Sequence, residues 1–130
     1  MLNAYVKRKT NLLLLASEKD RLRLVELALA LQESANYLTL AGLKTTASVP
    51  EDGLLPASRI VALYDAFERL AEQLLGKAPS LMVSWNDGGL RLASETERLP
   101  DTDAIQLPVS FRQSEGILYI EISSGKEAAL

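Results

Sequence analysis

Hydrophobic spacing changes character once along this chain, and that change limits the folds open to it. Up to residue 75, apolar residues recur every three or four positions; beyond residue 79 they alternate. Ile60, Leu63, Tyr64, Phe67, Ala71 and Leu74 fall on one helical face, opened by Pro56 or Ser58 and stopped by Gly76. Upstream, Leu2, Tyr5, Val6, Leu12, Leu13, Leu15 and Ala16 predict a first helix over residues 2–16. Ser17 with Asp20 three residues on reads as a loose capping box opening a second helix. Leu24, Leu27, Ala28, Leu31, Ala35 and Leu38 carry that helix to Gly42. Leu22, Val25 and Leu29 widen its stripe, so it is expected to pack on two sides, in the core and against another helix or a second copy.

The second half reads as strands. Lys44 to Val49 carries Thr45, Thr46 and Val49 and is expected at a sheet edge, followed by a turn at Pro50-Glu51-Asp52-Gly53. Ser80 to Trp85 and Leu90 to Ala93 flank Asn86-Asp87-Gly88-Gly89, residues that accept the positive φ of a tight hairpin. Ile105, Leu107, Val109 and Phe111 alternate, turn at Gln113-Ser114-Glu115-Gly116 and return through Leu118, Ile120 and Ile122, with Pro108 confining the segment to an edge or a bulge. The expected architecture is an α+β two-layer sandwich, about three helices on one face of a mostly antiparallel mixed sheet. Residues 1–42 would form an N-terminal helical segment merging into a sandwich over residues 43–125. Glu95 to Ala104 is polar and aperiodic, the loop with most room for a functional role.

Composition removes several chemistries. Among 130 residues there is no histidine and no cysteine, so disulfides, thiolate zinc sites and Ser-His-Asp or Cys-His triads are out of reach. Acid-base work would fall to carboxylates, lysine or hydroxyls. A net charge of −3 and a pI near 5.0 oppose nucleic-acid binding, which needs a basic face. Lys7-Arg8-Lys9 is the only basic run, and the longest strongly apolar stretch, Leu12 to Ala16, is far short of the ~20 residues that cross a bilayer. A cytoplasmic segment without membrane contact is expected. The opening, Leu2-Asn3-Ala4-Tyr5, already stands in helical register, as expected of the cytoplasmic part of a longer, membrane-anchored protein. Asp87-Gly88-Gly89 is followed by no helix, so it reads as a turn and not a phosphate cradle. Asp101 and Asp103 with Glu95 and Glu97 lack the glycine and terminal glutamate of an EF-hand-type calcium loop.

Three stretches carry a resemblance: Tyr5-Val6-Lys7-Arg8-Lys9-Thr10-Asn11-Leu12-Leu13-Leu14-Leu15; Glu33-Ser34 with Tyr37-Leu38 and Gly42; and Leu63-Tyr64-Asp65-Ala66-Phe67-Glu68. Together they resemble the ATPase-like (GHKL or Bergerat-type) domain of bacterial sensor histidine kinases of the Firmicutes type. The resemblance implies ATP and Mg²⁺ as cofactors, a glutamate and an asparagine one helical turn apart on the 58–75 helix, and an Asp-x-Gly-x-Gly turn after the second hairpin strand. Glu68 falls on the glutamate position and Glu72 on the asparagine position, making both candidate cofactor and metal ligands. Read from the residues alone, Asp65, Glu68 and Glu72 equally fit the wet face of an amphipathic helix. The adenine-binding aspartate falls at Ser94 or Glu95, and Thr96-Glu97-Arg98-Leu99 has no glycine to clear a nucleotide's path.

With the second glycine-rich box and the long ATP lid also absent, the resemblance implies a degenerate nucleotide pocket in a signalling and dimerisation module. Such kinases phosphorylate a histidine, and this chain has none to accept phosphate, so no catalytic residue is assigned. The expected partners are a second copy through the N-terminal helices and a response regulator. A divergent Mg-ATP-binding domain acting on a histidine elsewhere, and a ligand-free interaction scaffold, are the two alternatives.

Overall fold

A computed structural model describes residues 2–123, with side chains from residue 9 onward. Its elements run α1 (Leu2–Glu18), β1 (Arg21–Arg23), α2 (Leu24–Leu40), β2 (Lys44–Ser48), β3 (Leu54–Pro56), α3 (Ala57–Leu74), β4 (Ser80–Asn86), β5 (Gly89–Ser94), β6 (Val109–Ser114) and β7 (Ile117–Ile122). β2, β4, β5, β7 and β6 form one sheet in that order, antiparallel except for the parallel β2–β4 pair. The helices supply one layer and this sheet the other, as the spacing change requires.

α3 forms because its apolar residues keep one face: Ile60, Leu63, Tyr64, Phe67, Leu70 and Ala71 are completely buried. α2 ends in a Schellman motif, with Gly42 at φ 108, Gly42 N–H donating to Thr39 O at 3.2 Å and Leu43 N–H to Leu38 O at 2.9 Å. Thr39 then ties the helix end to β2, its Oγ1 accepting from Thr45 N at 3.0 Å. Asp87 and Gly88, at φ 50 and 84, make the two-residue turn between β4 and β5 that the Asn-Asp-Gly-Gly run predicts. Leu12 from α1, Leu27 and Leu31 from α2, and Val83, Leu92 and Ile120 from the sheet belong to one buried cluster with the α3 residues.

Three sequence expectations need correction. Ser17 does not cap a second helix: α1 runs through it to Glu18, and Ser17 Oγ donates back to Leu14 O at 2.7 Å. α2 starts at Leu24, and a small antiparallel pair, β1 with β3, does the capping for two helices. Leu24 N–H donates to Gly53 O at 2.8 Å and Ala57 N–H to Asp20 O at 2.8 Å, so the first amide of α2 and of α3 is satisfied without any side-chain cap. Leu22 consequently lies in β1 and is buried, while Leu29 is 55% exposed, so the wide association stripe read on the second helix is divided between core and surface. Ile105 and Leu107 alternate with β6 in sequence but precede it, because β7 has partners only for Val109 to Ser114. They pack against the core as half-buried loop residues.

Candidate functional site

The positions singled out by sequence lie along α3 and at the end of β5. Glu68 is 5% exposed and turned toward α2. Its Oε1 accepts hydrogen bonds from Ser34 Oγ and from Tyr64 OH, the latter at 2.9 Å, and the two hydroxyl oxygens stand 2.9 Å from each other. Glu72, one turn further on, is exposed. Ser94 is buried at 2% and its Oγ donates to Ser80 O at 2.7 Å, locking the end of β5 to the start of β4. Glu95, the next residue, is exposed. Among the described residues no three acidic side chains group in a way that could hold a metal ion.

The α3 side chain that hydrogen-bonds the neighbouring loop is Gln73, which sequence reasoning passed over. Its amide grips the backbone of Asp101 from both sides: Asp101 N–H donates to Gln73 Oε1 at 2.6 Å and Gln73 Nε2 donates to Asp101 O at 2.7 Å. No spacing signal separates it from Glu72: both fall well off the apolar stripe, on opposite flanks, and only the loop beside Gln73 tells them apart. Gln113 Nε2 fastens the other end of the loop, donating to Glu97 O at 2.9 Å. Asp101 Oδ1 accepts from Asp103 N–H at 2.9 Å and Thr102 O from Ile105 N–H at 3.0 Å, which shapes the segment that follows the Gln73 clasp.

The segment from Glu95 to Pro108 therefore lies as a strap over the end of α3. The cavity left between Gln73 and Leu74 on the helix, Lys77 just past its end, and Thr96 and Arg98 to Asp101 on the strap measures about 240 Å³. Sites for small molecules span roughly 300–1,000 Å³. Replacing Gln73 by leucine removes both clasping bonds at little change in volume. Exchange of the Asp101 amide hydrogen is expected to speed up about tenfold or more, for two bonds worth roughly 1 kcal/mol each. An unchanged Asp101 exchange rate in hydrogen-exchange NMR would contradict the clasp.

Two turns earlier on the same flank of α3, Asp65 joins α1 to α3: Lys9 Nζ lies 2.5 Å from Asp65 Oδ1 and Arg69 Nε 2.9 Å from Oδ2. A partly exposed pair of this kind orients the helices more than it stabilises them.

Solved structures with this fold include two histidine kinases. The histidine kinase domain of the Erythrobacter litoralis EL346 blue-light activated histidine kinase aligns with a TM-score of 0.60 and 10% identity, covering 96% of this chain and 77% of its own. The Acinetobacter baumannii histidine kinase AdeS aligns with a TM-score of 0.53 and 12% identity, covering 89% and 75%. No family model and no curated protein matches the sequence. The expected two-layer α+β sandwich of histidine kinase ATPase-like domains is the fold of this chain, and at these identities the likeness is one of fold.

Proposed function

We propose that this chain is the ATPase-like part of a sensor histidine kinase homologue whose nucleotide pocket has degenerated, serving in signal transduction and dimerisation. The observation that carries the reading is the strap. In the resemblance, nucleotide is held between the 58–75 helix and the turn after the second hairpin strand, and here those two places are joined to each other by Gln73 and Asp101. The residues present do not fit Mg-ATP: Glu68 spends its carboxylate on two buried hydroxyls, Ser94 spends its hydroxyl on Ser80, and Glu72 points to solvent one turn away. Side chains at Thr96 to Leu99 fill the path that glycines would clear.

A thermal-shift measurement tests this reading. A ligand at 100 times its dissociation constant adds about 2.7 kcal/mol to folding stability, which moves the midpoint of a domain this size by roughly 10 °C. Millimolar Mg-ATP or Mg-ADP is expected to leave the midpoint where it is; a rise of several degrees would restore the divergent-kinase alternative.

The dimerisation part rests on α1, where Leu13 is 48% and Leu14 60% exposed beside buried Leu12. Adjacent exposed leucines on a helix are usual at contacts between helices. A response regulator remains the partner proposed from the fold. Among the described residues no helix is long and apolar enough to cross a membrane.

A further inference from the structure

The five-stranded sheet has a second face that no described element covers. Inward-facing Leu81, Val83, Leu92, Leu118 and Ile120 belong to the core with the helices, so the alternate residues of each strand look outward. Pairing register draws a straight row across that outward face: Thr46 on β2, Met82 on β4, Ala93 on β5, Tyr119 on β7 and Arg112 on β6. Met82 is 63% exposed. Ala93, small, sits between Met82 and Tyr119, and so leaves a shallow notch with an apolar wall on each side. The Arg112 guanidinium lies 4.4 Å from the centroid of the Tyr119 ring, which holds it in place, and none of its N–H groups has an acceptor among the described residues.

Charge on this face runs against the rest of the molecule. Its strands present Lys44, Arg91 and Arg112 against one carboxylate, Glu121, in a chain with 17 acidic and 14 basic residues. Glu121 is satisfied from within: Arg91 Nε donates to Oε1 at 2.6 Å and Asn86 Nδ2 to Oε2 at 2.9 Å.

From this arrangement we infer that the open sheet face docks an acidic amphipathic helix of a partner protein. Methionine, tyrosine and arginine are enriched at protein interfaces, and tyrosine and arginine concentrate binding energy there. A guanidinium already stacked on an aromatic ring, with its N–H fork unused, is preorganised for a carboxylate. The notch at Ala93 and the fork at Arg112 are two strands apart, about 10 Å, which is also about the rise of a helix over seven residues. An apolar residue and a Glu or Asp at i and i+7 of one helix laid across the strands therefore reach both. The docked helix covers the second face of the sheet as α2 and α3 cover the first. This surface is separate from the strap and stands whether or not nucleotide binds.

The test is a fluorescence-anisotropy titration of the intact chain with a synthetic Leu/Glu amphipathic helical peptide of about 18 residues, mapped by amide chemical shifts. Shifts are expected at Thr46, Met82, Ala93 and Tyr119, and Arg112→Glu is expected to weaken binding by about tenfold or more. Met82→Asp should weaken it too, while Arg21→Glu, which reverses an exposed cation away from this face, should not. Both face residues are exposed, so circular dichroism should report unchanged folding. Undiminished binding to Arg112→Glu, equal loss in Arg21→Glu, or shifts confined to the helices would overturn the inference. So would tighter binding of an oligothymidine of matched charge, or an Arg112-dependent self-association in sedimentation.

Discussion

Replacing Glu68 by alanine is expected to lower folding stability by about 2–4 kcal/mol, because it takes the shared acceptor from two buried hydroxyls and opens a cavity between α2 and α3. Ser34 and Tyr64 are 1% and 0% exposed, and both direct a hydroxyl at Glu68 Oε1. With the carboxylate gone, the two hydroxyls, 2.9 Å apart, lose their common charged acceptor. Glu68→Gln keeps an oxygen in the same place and is expected to stay within about 1 kcal/mol of the parent, since the amide carries no charge to desolvate. Urea denaturation of the two variants separates a structural glutamate from a ligand-holding one. If Glu68→Ala melted like the parent and altered only nucleotide affinity, the carboxylate would belong to a binding site, and the buried network would be incidental.

An alanine at position 89 is expected to do comparable damage by a different route. A Cβ built on Gly89 would lie 2.1 Å from the carbonyl oxygen of Ile122, 3.1 Å from its carbonyl carbon and 3.2 Å from Ser123 Cα. All three are backbone atoms, so no side chain can rotate away. The conflict is relieved only by parting β5 from β7 at this end, where Leu90 pairs with Ile122 and both are buried. The loss should be about 3 kcal/mol or more, lowering the melting temperature by roughly 10 °C. Gly88→Ala serves as the comparison. Gly88 sits at φ 84 in the turn, and the left-handed backbone there penalises a side chain by only about 1–2 kcal/mol. Equal stabilities for Gly89→Ala and the parent would mean that β5 and β7 do not approach this closely.

What could be read in advance follows from how local each determinant is. The α3 stripe, the Asn86 to Gly89 turn and the edge positions of β2 and β6 are set by residues within a few positions of one another, and periodicity or turn chemistry reveals them. β1 is three residues long and its capping partner is Gly53, some thirty positions away in sequence, so Ser17 and Asp20 offered a nearer and misleading signal. Ile105 and Leu107 alternate as a strand would, but a strand needs a neighbour with open hydrogen-bonding groups, and β7 is too short to supply one.

The site is divided in the same manner. The segment after β5 was marked as functional by its polarity and lack of period, and it is the strap. Which residue of α3 meets it was hidden, because Glu68, Glu72 and Gln73 differ only in their angle around one helix. That angle decides among core, solvent and loop: Glu68 faces Ser34, Glu72 faces water and Gln73 faces Asp101. The partners are 34 and 28 residues away, beyond the reach of any spacing rule.

Isothermal titration calorimetry of the purified chain with ADP and ATP in the presence of Mg²⁺ tests the central claim most directly. A strapped pocket with its carboxylate buried should give no saturable heat up to millimolar nucleotide. Saturation in the micromolar range, abolished by Glu68→Ala in a protein that remains folded, would contradict the claim and make this a working, divergent nucleotide-binding domain.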